Sequence, residues 1–139
     1  MVAVLVRRED WPERLAEALD RHASAPGAWG RSDCYMLAAD CVLAMTGVEP
    51  WPQVRGRYRS ASGAARQLRR HGFRSLEQAL AAAFPRVPVL RARRGDLGLV
   101  STPDGPACVV VTGVEATGKS MEGIRRVPVS ALLAAFRVG

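Results

Sequence analysis

Apolar positions recur with helical spacing in the first part of the chain. One stripe predicts a helix that follows Asp10, because residues three and four apart lie on one helix face. A second stripe predicts a helix from Cys34 to about Thr46, which stops at Gly47, a residue suited to the turn that ends helices. The first stripe consists of Trp11, Leu15, Ala18, Leu19 and His22.

Polar residues mark where further helices begin. Asp10 with Glu13, and Ser75 with Gln78, have the spacing of a capping box, in which two side chains satisfy the first free N–H groups of a helix. The second pair predicts a short helix before Pro85. Between these starts, residues 62–70 have the pattern of another helix. Four helices are therefore expected before residue 86.

The pattern changes after Pro88 to short apolar runs separated by turn residues. Residues 97–100, 107–112 and 124–127 predict three strands, with a hairpin-type turn at 102–106. Residues 130–136 predict a brief helix or turn. Helices followed by a meander of strands indicate an α+β domain, in which N-terminal helices pack on a small C-terminal antiparallel sheet.

The composition fits one globular domain over residues 1–139. Apolar residues make up 48% of the chain and charged residues 24%, which allows a hydrophobic core that needs no disulfide bonds. The net charge of +7 comes almost wholly from arginine, since Lys119 is the only lysine. The arginines near the end of the third helix are interpreted as a solvated face. Nucleic acid is not expected as a partner, because few aromatic residues lie among them.

The cysteines and the remaining apolar runs exclude several classes of protein. Three cysteines are an odd number, which argues against a complete disulfide framework, and no Cys/His cluster predicts a metal site or another cofactor. No apolar run has the length of a membrane span. Val2 to Val6 is predicted to be a short strand or an apolar arm, without the features of a signal peptide. We therefore expect the protein to be cytoplasmic when it is made, or to be carried out of the cell by another assembly.

The segment Trp29–Tyr35 carries the strongest candidate chemistry. Ser32 or Asp33 is placed to cap a helix whose first residue is Cys34. Free N–H groups and the helix dipole stabilise a thiolate at that position, so we expect a lowered thiol pKa. Alternatively, Cys34 is only the first residue of a core stripe. Trp29, Asp33 and Tyr35 are candidate binding residues beside it.

Gly113–Ser120 matches the G-x-x-x-x-G-K-[ST] pattern of phosphate-binding loops. Such a loop must open a helix, whereas Pro128 follows here after a few residues, and no later apolar strand ends in an aspartate that would hold magnesium. Glycine, threonine, lysine and serine are also ordinary hairpin residues. Nucleotide binding therefore remains only a remote alternative.

The order of these motifs resembles the NlpC/P60 superfamily of cell-wall peptidases, which has a papain-like fold. A Trp-Gly-x-x-Asp-Cys segment opens a helix, an Arg-Gly-Asp-Leu turn at residues 94–97 starts a strand, and a Val-rich strand ends in Gly113. The chain is most similar to small phage and prophage proteins encoded among tail genes, which usually end in Ala-Trp-Arg-Val, as residues 135–138 nearly do. The resemblance covers nearly the whole chain.

The resemblance implies a nucleophile at Cys34 and a histidine base six residues before Gly113. That position holds Ala107, whose methyl group accepts no proton, so the resemblance implies a degenerate site. His71 and His22 are the only imidazoles that can substitute, if the fold brings either to Cys34. Cys108, next to the vacant position, is predicted to be a core residue.

The resemblance therefore favours a phage or prophage tail-associated protein with a structural or interaction role. Its expected partners are tail-tip or hub proteins during assembly or the peptidoglycan of the cell wall on delivery, and its expected location is the tail of the virion. The alternative is an active cysteine peptidase or amidase, which would cleave peptidoglycan stem peptides during phage entry. These two functions differ in whether Cys34 is reactive.

Overall fold

The four helices predicted before residue 86 are present in the described part of the chain. The computed structural model describes residues 5–139, with α1 at Trp11–Ser24, α2 at Cys34–Thr46, α3 at Ala61–Arg70 and α4 at Leu76–Ala83. The expected strand or arm at Val2–Val6 falls largely outside the described residues, and Leu5 and Val6 belong to no strand. No helix within residues 5–139 is both long and apolar enough to cross a bilayer.

The sheet has six antiparallel strands in the order β1-β6-β2-β3-β4-β5. The three predicted strands are confirmed as β2, β3 and β5. The expected brief helix or turn at 130–136 is only partly right, because a 3₁₀ turn at Val129–Ala131 is followed by a strand. The six strands are β1 Arg86–Val87, β2 Leu97–Thr102, β3 Gly105–Val111, β4 Glu115–Ser120, β5 Gly123–Pro128 and β6 Ala134–Phe136.

Helix α2 is the centre of the main core. It buries residues on nearly every side, from Tyr35 to Met45, which is typical of a helix surrounded by other elements. It packs between α1 and the face of the sheet that carries Leu97, Cys108 and Val110. The coarse prediction of helices packed on an antiparallel sheet is therefore correct.

A smaller apolar cluster covers the other face of the sheet. Val100, Val109 and Val111 point into it, and two 3₁₀ turns, Val89–Arg91 and Val129–Ala131, close it. Strand β3 thus has apolar side chains on both faces, which explains its almost uninterrupted valine run.

Two of the predicted helix starts differ in their capping. Ser75 accepts a hydrogen bond from the N–H of Gln78 at 3.2 Å, as predicted for α4. The capping box predicted at Asp10 and Glu13 is wrong, because Asp10 makes no side-chain cap and instead pairs with Arg14 at 2.9 Å. Pro12 in the first turn removes one of the N–H groups that a cap would satisfy.

The segment that matches a phosphate-binding loop is a turn followed by strand β4. Lys119 lies on β4 and is buried, and its ammonium donates to the carbonyls of His22 and Ala25 at 2.5 and 2.6 Å. These carbonyls lie at the C-terminus of α1, where a positive charge also interacts well with the helix dipole. The lysine is therefore a helix cap, and the segment continues into a strand that pairs with β5 instead of opening a helix.

Replacing Lys119 by methionine is expected to lower the free energy of unfolding by about 1–3 kcal/mol, because it leaves two carbonyls without their donor. Urea denaturation measures this change. Arg125→Met is the control, since Arg125 is exposed on β5 and a similar side chain there should leave the midpoint nearly unchanged. Equal midpoints for the two variants would contradict the capping role.

Candidate functional site

Asp33 organises the loop that leads into α2. It is 2% exposed, and its carboxylate accepts hydrogen bonds from the N–H groups of Gly30 and Met36 and from the hydroxyl of Tyr58, at 2.7, 2.8 and 2.7 Å. Of the two predicted caps, the structure selects Asp33. Gly30 has a positive φ of 81°, and a Cβ there would lie 2.4 Å from the carbonyl oxygen of Tyr58. The loop thus requires glycine at this position.

Cys34 is the first residue of α2 and is partly exposed, as the resemblance implies for the nucleophile. Burial of the sulfur raises the thiol pKa, and the negative charge of Asp33 raises it further. The backbone N–H groups of Cys108, Tyr35 and Cys34 itself act in the opposite direction, but they do not offset the burial. The expectation of a lowered pKa is therefore wrong, because desolvation of a thiolate outweighs the stabilising N–H groups.

The aromatic residues around Cys34 are mostly structural. The ring of Tyr35 lies 4.2 Å from that of Trp51, and Trp51 in turn meets Phe84 edge to face at 5.9 Å between centroids. Burial raises the pKa values of Tyr35 and Tyr58. Trp29 differs, since 37% of its surface is exposed. Of the candidate binding residues, Trp29 is thus the one that is open to a ligand.

Ala107 lies on β3 opposite Val100, and both side chains belong to the cluster on the far face of the sheet from α2. Side chains alternate along a strand, so the neighbouring Cys108 points toward α2 and is fully buried. The prediction of Cys108 as a core residue is confirmed. The β3 side chain facing the helix of Cys34 is therefore a second thiol rather than a proton acceptor.

Neither histidine supplies a base to Cys34. His71 is exposed at the end of α3. His22 is buried, and its ring nitrogens contact the hydroxyl of Ser32 at 2.8 Å and the carboxylate of Asp40 at 2.6 Å. His22 therefore forms a hydrogen-bonded line with Ser32 and Asp40, and neither of its ring nitrogens is left for Cys34.

Sequence reasoning missed this line of Ser32, His22 and Asp40. It has the order of a nucleophile, a base and an orienting carboxylate. The hydroxyl belongs to a residue that is only 5% exposed, and Asp40 is shared with Arg55, whose guanidinium lies 2.6 Å away. Burial of Asp40 raises its pKa, but the hydrogen bonds from His22 and Arg55 outweigh this and lower it overall. These hydrogen bonds connect α1, the loop that precedes α2, and α2 itself.

A second buried carboxylate organises the Arg-Gly-Asp-Leu turn. Asp96 is 1% exposed and accepts hydrogen bonds from the guanidinium of Arg7 at 3.0 Å and from the N–H groups of Arg93 and Val138 at 3.0 and 3.2 Å. The turn thereby holds residues from both ends of the described chain. Among residues 5–139, no group of three His, Cys, Asp or Glu side chains is arranged to hold a metal ion.

The family model described as a domain of unknown function, DUF6950, matches residues 6–138 of the chain. The match covers nearly the whole length, so the chain belongs to this family. No curated protein sequence matches the chain.

Proposed function

We propose that this DUF6950 protein is a tail-associated protein of a phage or prophage, with a papain-like NlpC/P60-type fold and a catalytically degenerate site. Its role is structural: it binds tail-tip or hub proteins in the virion. The tail context and the specific fold rest on the sequence resemblance. The degenerate site rests on the environment of Cys34.

The observation that carries this proposal is a thiol without a base. Within residues 5–139, both imidazoles are placed elsewhere, one exposed and one bonded to Ser32 and Asp40. The nearest carboxylate, on Asp33, raises the thiol pKa and already accepts three hydrogen bonds. A cysteine peptidase needs a nucleophile, a base and an orienting group in one hydrogen-bonded line. Cys34 has the first of these and lacks the second.

The raised pKa gives a direct prediction for the pH dependence of alkylation. Iodoacetamide reacts with the thiolate, so labelling of Cys34 should be at least about tenfold slower at pH 6.5 than that of an activated cysteine. The labelling rate should rise only above a pH of about 8.5, the ordinary thiol value. Cys34→Ser is the control that assigns the signal to this sulfur, because Cys41 and Cys108 are buried. Fast labelling at pH 6.5 would contradict the proposal.

The same shift has a consequence for stability. Folding raises the pKa values of Cys34 and Cys41, so the folded state holds these protons more tightly. This contribution to the free energy of unfolding is complete below about pH 8.5 and is lost as the pH rises through the pKa values of the folded state. We therefore expect the folded state to become less stable over the same alkaline range in which labelling of Cys34 becomes faster.

Peptidoglycan turnover distinguishes the structural role from the peptidase alternative. Purified cell-wall suspensions should lose no turbidity with the wild-type protein or with Cys34→Ala. Cleavage by the wild type that disappears in Cys34→Ala would establish the peptidase instead.

Mass spectrometry of purified virions from an induced lysogen tests the tail location, and absence of the chain from those particles would contradict it.

A further inference from the structure

Strand β5 forms one edge of the sheet, and among residues 5–139 no strand pairs with its outer side. Val129, just after β5, donates its N–H to the carbonyl of Val114, the residue just before β4. Backbone groups alternate in direction along an antiparallel strand. The N–H and C=O groups of Arg125 and Val127 therefore point toward β4, whereas those of Ile124 and Arg126 point away from the sheet. Pro128 fits the same alternation, since its missing N–H falls on the outer side.

The same two residues line a groove beside helix α1. This groove has a volume of about 370 Å³ and lies between α1 and the helix-facing side of β4 and β5. Ala16, Leu19 and Ala23 form its α1 side, and Ile124 contributes an apolar side chain from the edge strand. A strand added along β5 would therefore meet both free backbone groups and a groove of mixed character, apolar beside Ile124 and Leu19 and positively charged at Arg94 and Arg126.

Charge defines the chemistry of the added strand. Arg94 and Arg126 lie at the groove, and Arg125 lies on the opposite face of β5. None of these three forms an ion pair within residues 5–139. One carboxylate, Asp20, stands on the α1 side of the groove. A second copy of the chain would place Arg125 and Arg126 against the same residues of its partner, so like charges oppose that arrangement.

We propose that β5 accepts an extended acidic segment of a partner protein as a seventh strand of the sheet. The segment pairs its backbone with Ile124 and Arg126, places apolar side chains in the groove beside Ile124 and sets carboxylates on the same face against Arg94 and Arg126. This inference builds on the proposed interaction role and names the surface that carries it. It does not depend on the reactivity of Cys34, so the two proposals fail in different experiments.

The test uses a fluorescein-labelled peptide with the repeating sequence Val-Thr-Glu-Thr, about as long as β5, in an anisotropy titration, because this repeat places valine and glutamate on the same face of a strand. Two control peptides separate charge from strand formation: one has lysine in place of glutamate, and one keeps the glutamates but has proline in place of valine. We expect binding of the first peptide alone. Equal binding of the proline peptide would overturn the strand, and equal binding of the lysine peptide would overturn the charge complementarity.

Matched variants locate the site. Arg126→Glu and Arg125→Glu change the net charge equally, but only Arg126 faces the groove, so Arg126→Glu should weaken binding at least about tenfold and the other less. Ile124→Pro removes an outward N–H and should also weaken binding at least about tenfold, whereas Ile124→Val should not. Thermal melting verifies that each variant folds.

Three further results would overturn the inference. Equal losses for the two arginine variants would indicate non-specific attraction. Unchanged binding in Ile124→Pro, with the variant folded, would exclude the edge of β5. A dimer in sedimentation that Ile124→Pro abolishes would identify a second copy of the chain as the occupant. Hydrogen exchange gives an independent readout, because the amides of Ile124 and Arg126 should become protected only when the acidic peptide is bound.

Discussion

Replacing Asp33 by alanine is expected to lower the free energy of unfolding by about 3–5 kcal/mol. The change removes a helix cap, which typically contributes about 0.5–2 kcal/mol. It also leaves the N–H of Gly30 and the hydroxyl of Tyr58 buried without an acceptor, at about 1–3 kcal/mol each. Urea denaturation should therefore show a much lower midpoint with a similar slope.

Two variants make this prediction specific to the carboxylate. Asp33→Asn keeps one acceptor oxygen for the cap and should lie between the wild type and Asp33→Ala. Asp104→Ala removes a carboxylate that is exposed in the β2–β3 turn, and it should change stability by less than about 0.5 kcal/mol. If Asp33→Ala were no less stable than Asp104→Ala, the organising role of Asp33 would be excluded.

The replacement of Asp96 by alanine is expected to have an effect of similar size, about 3–5 kcal/mol, because it leaves the guanidinium of Arg7 buried without its counter-charge. Burial already lowers the pKa of Arg7, and Asp96 opposes that effect. The N–H groups of Arg93 and Val138 lose their acceptor in the same variant. Thermal and urea unfolding both measure the loss.

An exposed ion pair is the natural comparison for Asp96. Glu77 and Arg86 lie 2.6 Å apart, with about half of each side chain exposed, so Glu77→Ala should cost less than about 1 kcal/mol. The double variant Arg7→Met with Asp96→Leu should lose less free energy of unfolding than the two single variants lose in sum, because the buried charges disappear together. Additive losses would mean that the two side chains act independently.

Helices α1 and α2 were predictable because each has an apolar stripe, and α2 also has a local start and stop in Asp33 and Gly47. Strand β4 was missed because its residues 115–120 include glycine, threonine and lysine, with no alternation of apolar and polar positions. Its pairing comes from the strands on both sides of it. Strands β1 and β6 are two and three residues long, too short to show a period.

The site shows the same division between local and tertiary causes. The cap at Asp33 follows from residues that adjoin it in the chain, so the sequence predicts it. The pKa of Cys34 depends on how deeply β3 covers the sulfur, and the local helix argument therefore gave the wrong direction. His22, Ser32 and Asp40 come from three separate elements, and no spacing in the sequence indicates that they meet.

The burial of Lys119 leaves arginine as the only basic side chain other than histidine on the surface of residues 5–139. A guanidinium keeps its proton at every pH that a cell reaches, whereas an amine begins to lose its proton in alkaline solution. The positive charge that arginine contributes is therefore constant across the physiological range, and reagents or enzymes that acylate lysine side chains have no exposed target on the folded chain.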